Sequence, residues 1–483
     1  MTDKTIAMAE QPSHRPLAIF AAVFVAAGFI YSYHLGTDAL GASEAYSALA
    51  AAKPGIAAIV RTPVLHDPGK QVFYYAVLHY YTRIFGLSEI SLRSTSVIFS
   101  LMTLALVYAL GVEMFDDNTA LAAAAIWAFN PLAVAFAHTA RMYPMLIALA
   151  LAQLLTLWRV RMRPSVSRAV LCGVSGAALL YTHLGGILFL GTAVAMLLRD
   201  YIRGQRDPIA WLAMAITLAL FVPYVPIARA QSETLLAGHW LDWIGTTYEY
   251  PLGVKIVTAL GAAAVAYWFV LGASAQSDSD DQLRWIGAWT ILPGLALAAG
   301  SIAIRPMFNA RYVAPSMATL ALLIAVGIAL ASVKWRNLLA VGFPAACLIL
   351  LPFDRVTPGP WRDFAEQVAA AGNSDPVFFE SGFVSSGGAS DVPNGGFPFG
   401  YYSVPFDYYY RGTNPRIAVP GFDPASARTT IEERVSSAGG GWLISWKDGD
   451  ALAAELPDST RFKMVERFHI DRLTFYRITP IGK

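Results

Sequence analysis

Long apolar runs separated by short polar loops fill the first three quarters of the chain. They lie at 17–33, 90–112, 119–137, 143–158, 169–184, 186–198, 208–227, 253–272, 285–300, 312–331 and 338–353. A helix needs about 20 apolar residues to cross a hydrocarbon core, with a range of about 17–25. The pattern therefore predicts about eleven transmembrane helices. One further segment, KQVFYYAVLHYYTRIFG at 70–86, is apolar but short and carries His79, Arg83 and several tyrosines. Tyrosine favours the headgroup level. Whether this segment crosses or lies flat reverses the side of every later loop, so the basic loops arbitrate. Arg159, Arg161, Arg163 and Arg168 share one loop, Arg199, Arg203 and Arg206 another, and Lys334 and Arg336 follow a later span. All face the cytoplasm, as the positive-inside bias requires, if 70–86 is an interfacial helix. The acidic loop ASAQSDSDDQL at 273–283 falls on that same side, although acids count little in this rule. This places the N-terminus inside and the C-terminus outside. The first run has no clear small-residue cleavage site after it and reads as a retained span.

Beyond residue 353 the pattern changes. WRDFAEQVAAAG and ASARTTIEERVSSAG have helical character, whereas DPVFFES, GWLISW and RLTFYRIT read as strands. Their alternation predicts a small α/β domain over 354–483, attached to a helical membrane domain over 1–353. The Gly/Ser/Pro-rich stretch at 381–400 reads as a long loop, and no repeat at solenoid spacing is present.

Composition sharpens the class. Of the 483 residues 56% are hydrophobic and only 14% charged, against about 25% charged in an ordinary soluble chain. The net charge of +2 points neither to nucleic acid nor to an acidic partner. Cys172 and Cys347 both sit inside apolar runs and read as buried thiols, outside any disulfide framework. AGGGW at 438–442 is not followed by Lys-Ser/Thr, so there is no P-loop.

Charges at membrane level are costly and need a reason. Asp38, Glu44, Lys70, His138, Arg141, His183, Arg305 and Arg311 come from different loops but share the outer face. Each has an ordinary explanation: Asp38 as a helix cap, Glu44 on a solvated face, Lys70 and Arg141 snorkelling to headgroups, His183 satisfied at a helix end. Their convergence is what marks a candidate site.

The same residues lie in stretches that resemble the GT-C superfamily of membrane glycosyltransferases. That superfamily includes protein O-mannosyltransferases and lipid A aminoarabinose transferases. SEAYSALAA (43–51) resembles the first-loop motif DEAxSxLA. KQVFYYAVLHYYTRIFGLSEISLRSTSVIFS is similar to the segment that opens (H/K)PPLYYLLLH. NPLAVAFAHTARMYPMLIAL, YTHLGG and RPMFNARYVAPSMATLALL resemble three further motifs in the same order, so the likeness covers about residues 17–335. In the tail only GPWRDFAEQV and FDYYYRG match, loosely.

The resemblance implies a polytopic α-helical fold with interfacial helices and a C-terminal soluble domain. It implies an inverting transfer of a sugar from a polyprenyl phosphate to a lipid, glycan or protein at the outer face of the cytoplasmic membrane. A carboxylate would take the acceptor proton and cations would hold the phosphate. Asp38 and Glu44 are the candidate acids, Lys70, Arg141 and Arg311 the phosphate ligands, and Tyr74, His138, Tyr143 and His183 the cavity lining. Serine cannot act as a base at neutral pH without an activating partner, and Ser43 stands where the family has its catalytic aspartate. The role then passes to Asp38, with Glu44 positioning the base or acceptor, or to Glu44 itself. Thr139 replaces a common family acid before Arg-Met-Tyr, so neither a metal nor another cofactor is expected. The rival readings are a flippase of lipid-linked glycans and a non-catalytic scaffold on a degenerate GT-C fold.

Overall fold

A computed structural model describes residues 15–61, 71–237, 279–303, 309–351, 360–372, 374–381, 403–420, 423–445, 449–470 and 473–482. Among these, six helices are long and apolar enough to cross a membrane: Arg15–Ser32, Glu89–Met114, Tyr143–Met162, the run Pro208–Gln231, Asp281–Gly300 and Ala310–Leu330. The protein is a multi-pass membrane protein. Gly186–Ile202 and Val333–Ile349 are also helical, and Val166–Thr182 is a shorter apolar helix. The run at 253–272 lies outside the described residues, so the expected number of eleven has no direct counterpart.

The run at 119–137 is not one straight span. It forms helices Asp117–Ala128 and Pro131–Ala137, bent by 60°. Pro131 has no N–H to donate, and the residue before it is driven out of the helical region. Asn130 accordingly has ψ 126°, and its side chain accepts from Leu132 N at 2.8 Å. The carbonyl of Ala128 is taken up by the Tyr31 hydroxyl at 3.0 Å.

The 70–86 segment forms the helix Val72–Phe85. Its 14 residues rise about 21 Å, short of a hydrocarbon core of about 30 Å. That length agrees with an interfacial placement.

Small residues let spans approach closely, as packing in lipid favours. Val166–Thr182 lies against Pro208–Phe221 through Gly173 and Gly176. A Cβ on Gly173 would stand 2.5 Å from Ile216, and one on Gly176 2.6 Å from the Thr217 hydroxyl.

Of the acidic stretch 273–283, Asp281 lies at the basic end of the bundle, at the start of the helix Ser279–Ala303. Arg161 pairs with Asp200 at 2.8 Å and Asp281 at 2.5 Å, and Arg199 reaches the same two acids. The Arg161 guanidinium also lies over Trp158 and Trp285. Asp281 therefore sits beside the arginines because it neutralises them. On the Tyr143–Met162 helix, Arg161 is about 27 Å along the axis from Tyr143, so this network and Tyr143 occupy opposite ends. Cysteine placed at Arg163 is expected to resist an impermeant maleimide in intact cells, with any outer membrane permeabilised. Cysteine at the exposed Ser437 is expected to react. Labelling at 163 would overturn the orientation; Cys172 and Cys347 are buried and give little background.

Residues after 360 build a five-stranded sheet from β1 (Val377–Ser381), β2 (Arg416–Pro420), β3 (Gly441–Ser445), β4 (Phe462–Ile470) and β5 (Leu473–Pro480). The order is β2-β1-β3-β5-β4. β1 pairs in parallel with β2 and β3, and β5 runs antiparallel to β3 and β4. Side-chain alternation serves two cores: Val377, Phe379, Trp442 and Ile444 face Trp361, Phe364 and Phe406, while Phe378 and Leu443 face Ala427, Ile431 and Val435. β2 and β4 were not expected from the sequence; RIAVP is short and FKMVERFHI is rich in charge, which hides the alternation. The stretch 382–402, most of the expected long loop, lies outside the described residues.

Candidate functional site

Arg15–Ser32 ends at a turn that carries Asp38, and the helix Ala42–Ala51 carries Ser43, Glu44 and Ser47. In the turn, His34 takes φ 57°, and its carbonyl accepts from the Thr37 hydroxyl at 2.9 Å. The turn is organised by Arg93, from the fifth position of the Glu89–Met114 helix. Arg93 is 3% exposed. Its Nε and Nη2 donate to the two Glu44 oxygens at 2.8 and 2.9 Å. Nη1 donates to the carbonyls of Leu35 at 2.7 Å and Asp38 at 2.9 Å, and Nη2 to that of Ala39 at 3.1 Å. One planar cation thereby fixes three backbone carbonyls of a single turn and a carboxylate, a task suited to the rigid guanidinium fork.

Glu44 is equally engaged. Besides Arg93, it accepts from Ala140 N at 2.9 Å and Gly41 N at 3.1 Å. Four donors thus occupy about all the lone-pair sites a carboxylate offers. Asp38 is half-buried, its backbone carbonyl held by Arg93.

The bent segment after Pro131 brings in Arg141. It is 3% exposed, and its Nη1 donates to the Ser43 carbonyl at 2.6 Å and the Ser47 hydroxyl at 3.2 Å. Two residues on, Tyr143 lies 6.2 Å from the His183 ring and 5.8 Å beneath the Arg311 guanidinium. His183 is 5.0 Å from Tyr312. Gly185 N–H donates to His183 Nδ1 at 2.8 Å, so the ring proton sits on Nε2. Asp38, Glu44, Arg141, Tyr143, His183 and Arg311 are therefore gathered at one end of the bundle in two groups of contacts, one around Arg93 and Arg141 and one around Tyr143, that adjoin along residues 141–143. Tyr74 is buried and shares the electrostatic neighbourhood of Arg141 and Glu44. His138 is turned to a different task, its Nε2 donating to the Ile30 carbonyl at 3.0 Å and holding the end of the first span. Lys70 and Arg305 lie outside the described residues.

Two polar residues of this end were not foreseen as site residues. Arg93 lies within the quoted LSEISLRSTS stretch; a lone arginine early in an apolar span was the signal. Gln71 is fully buried, its N–H bonded to the Thr182 carbonyl at 3.3 Å, and its side-chain amide meets no partner among the described residues. Among the described residues no three His, Cys, Asp or Glu side chains gather as metal ligands would.

Residues 70–227 match the family model for dolichyl-phosphate-mannose-protein mannosyltransferase. No curated protein matches the chain. Among solved structures the chain is similar to ArnT from Cupriavidus metallidurans in its apo state, at 15% identity and a TM-score of 0.60 over 95% of this chain and 97% of that one. It is similar to the same enzyme bound to undecaprenyl phosphate, at 16% identity and a TM-score of 0.55 over 96% and 98%. It also resembles the oligosaccharyltransferase AglB from Archaeoglobus fulgidus in complex with an inhibitory peptide and a dolichol-phosphate, at 11% identity and a TM-score of 0.56 over 90% of this chain and 69% of that one.

Proposed function

From the GT-C fold of this chain, we propose that it is an inverting membrane glycosyltransferase that moves a sugar from a polyprenyl phosphate to a hydroxyl acceptor at the outer face. The observation that carries this reading is that the Asp38 turn and Arg141, held around Arg93 and Ser43, adjoin along residues 141–143 the group of Tyr143, His183 and Arg311. It sets a carboxylate-bearing turn and cations at the end opposite the basic loops.

In the proposed step the acceptor oxygen attacks the anomeric carbon from the face opposite the phosphate. Asp38 takes the acceptor proton. The carbon–oxygen bond to the phosphate breaks, and polyprenyl phosphate leaves with the electron pair. Its charge is held by Arg311 and, by family resemblance, Lys70, so the leaving group needs no proton. Glu44 is assigned to holding Arg93 and the loop, because its oxygens are already occupied by donors. Arg141 positions the Ser43–Ser47 turn of helix through the Ser43 backbone carbonyl and the Ser47 hydroxyl. No metal is asked of the step, and the sugar is left as a hexose or pentose.

The test is incubation of the purified protein with a panel of polyprenyl-phosphate sugars, read by release of polyprenyl phosphate. Release is expected with at least one donor; silence across the panel, with and without alcohol acceptors, would sink the reading. Arg311→Ala is expected to raise the donor KM by about ten- to a hundredfold, the scale of one charge-assisted contact of about 1.5–3 kcal/mol. An unchanged KM would return Arg311 to packing against Tyr143.

A further inference from the structure

The C-terminal domain reaches the Asp38 turn directly. Its helix Ser403–Tyr409 packs on Ala42–Ala51. The Tyr409 hydroxyl accepts from Leu40 N at 2.7 Å and donates to Glu89 Oε1 at 3.0 Å. Arg362, from the helix Trp361–Ala371, donates to the same Glu89 oxygen at 2.6 Å and stands over the Tyr409 ring. Tyr408 donates its hydroxyl to the Leu87 carbonyl at 2.7 Å.

The carbonyl of Ala39 and the N–H of Leu40 belong to one planar peptide unit. Arg93, from the membrane domain, holds the carbonyl, and Tyr409, from the C-terminal domain, holds the N–H. The preceding carbonyl, that of Asp38, is also on Arg93. Peptide planes on the C-terminal side of Asp38 are therefore clamped from two domains, and the backbone rotation that aims its carboxylate is restricted. Ala39 itself packs against the Trp361–Phe475 core of the C-terminal domain. Leu40 is fully buried, so water cannot replace Tyr409 at its N–H without opening the interface. Burial raises the Tyr409 phenol above its ordinary pKa, so the hydroxyl remains a donor to Glu89 at neutral pH.

We infer that Tyr409 is a positioning residue for Asp38, through which the C-terminal domain takes part in setting the geometry of the transfer site. The inference rests on the glycosyltransferase reading for its kinetic part and on geometry alone for the clamp.

The test is Tyr409→Phe in the full-length protein, with two readouts. Hydrogen exchange over residues 35–41 is expected to quicken in the variant, with exchange in the sheet unchanged; unaltered exchange in 35–41 would overturn the clamp whatever the activity. On the donor that the wild type turns over, kcat is expected to fall about three- to tenfold, the factor for one ordinary hydrogen bond, with the donor KM retained. In an Asp38→Asn background the same change is expected to cost nothing further, because a residue that acts through Asp38 has nothing left to position. An equal loss in both backgrounds would reduce Tyr409 to a structural contact. A wild type silent on every donor, with the exchange response intact, would overturn the proposed function while supporting the clamp.

Discussion

Asp38→Asn is expected to lower kcat by about 100- to 10,000-fold, the range for loss of a general base, while leaving donor affinity largely unchanged. A base acts on the acceptor proton in the transition state, so its removal depresses turnover and not ground-state binding of the phosphate. The amide is nearly isosteric, and the hydrogen bond from Arg93 to the backbone carbonyl of residue 38 is unaffected by the change. Glu44→Gln should behave differently. Its carboxylate neutralises a buried arginine and accepts from two backbone amides, so its loss should appear first as a lower melting temperature of the solubilised protein. Kinetics and melting on the two variants therefore separate the acids. A collapse of kcat in Glu44→Gln at wild-type stability, with Asp38→Asn active, would reverse the assignment.

Arg93→Met is expected to be among the most destabilising single substitutions in the membrane domain. It leaves Glu44 as a buried, unpaired charge and strips a donor from the carbonyls of Leu35, Asp38 and Ala39. Breaking one side of a buried ion pair costs about 3–5 kcal/mol, a large part of the 5–15 kcal/mol typical of a folded domain. Arg93→Lys should rescue little, because an ammonium cannot bridge two carboxylate oxygens and three carbonyls at once. Double replacement of Arg93 and Glu44 by apolar residues of similar size should recover stability without recovering turnover, since the turn would lose its organiser. Thermal melting in detergent and the donor-release assay together check this. Wild-type melting for Arg93→Met would remove the central role given to that side chain.

The positions of the spans were legible because a bilayer imposes one requirement, a long apolar helix, that composition alone reveals. Tyr143 beside His183 and Arg311 over Tyr143 bring three of the candidate residues together, as their one-sided distribution along the sequence suggests. The kink at Asn130–Pro131 was written in a proline that the apolar average concealed. Asp281, in the acidic stretch 273–283, looked misplaced because its partners, Arg161 and Arg199, lie far away in the chain. His138 was grouped with the site residues, but its donation to Ile30 depends on where another helix ends.

The sequence by itself determined that this protein is a bundle of membrane helices followed by an α/β domain, with its unusual charges collected at one end. Hydrophobic period and length are local properties, and the cost of charge in lipid is paid residue by residue. What only the tertiary structure decided is the division of labour among those charges. Glu44 is enclosed by Arg93, Ala140 and Gly41, the Asp38 backbone carbonyl is held by Arg93, and the Ala39–Leu40 peptide is gripped from two domains. Apart from the local Gly41–Glu44 bond, those roles follow from hydrogen bonds between residues 49 to 369 positions apart, and such pairings are set by how helices pack, which no local pattern encodes.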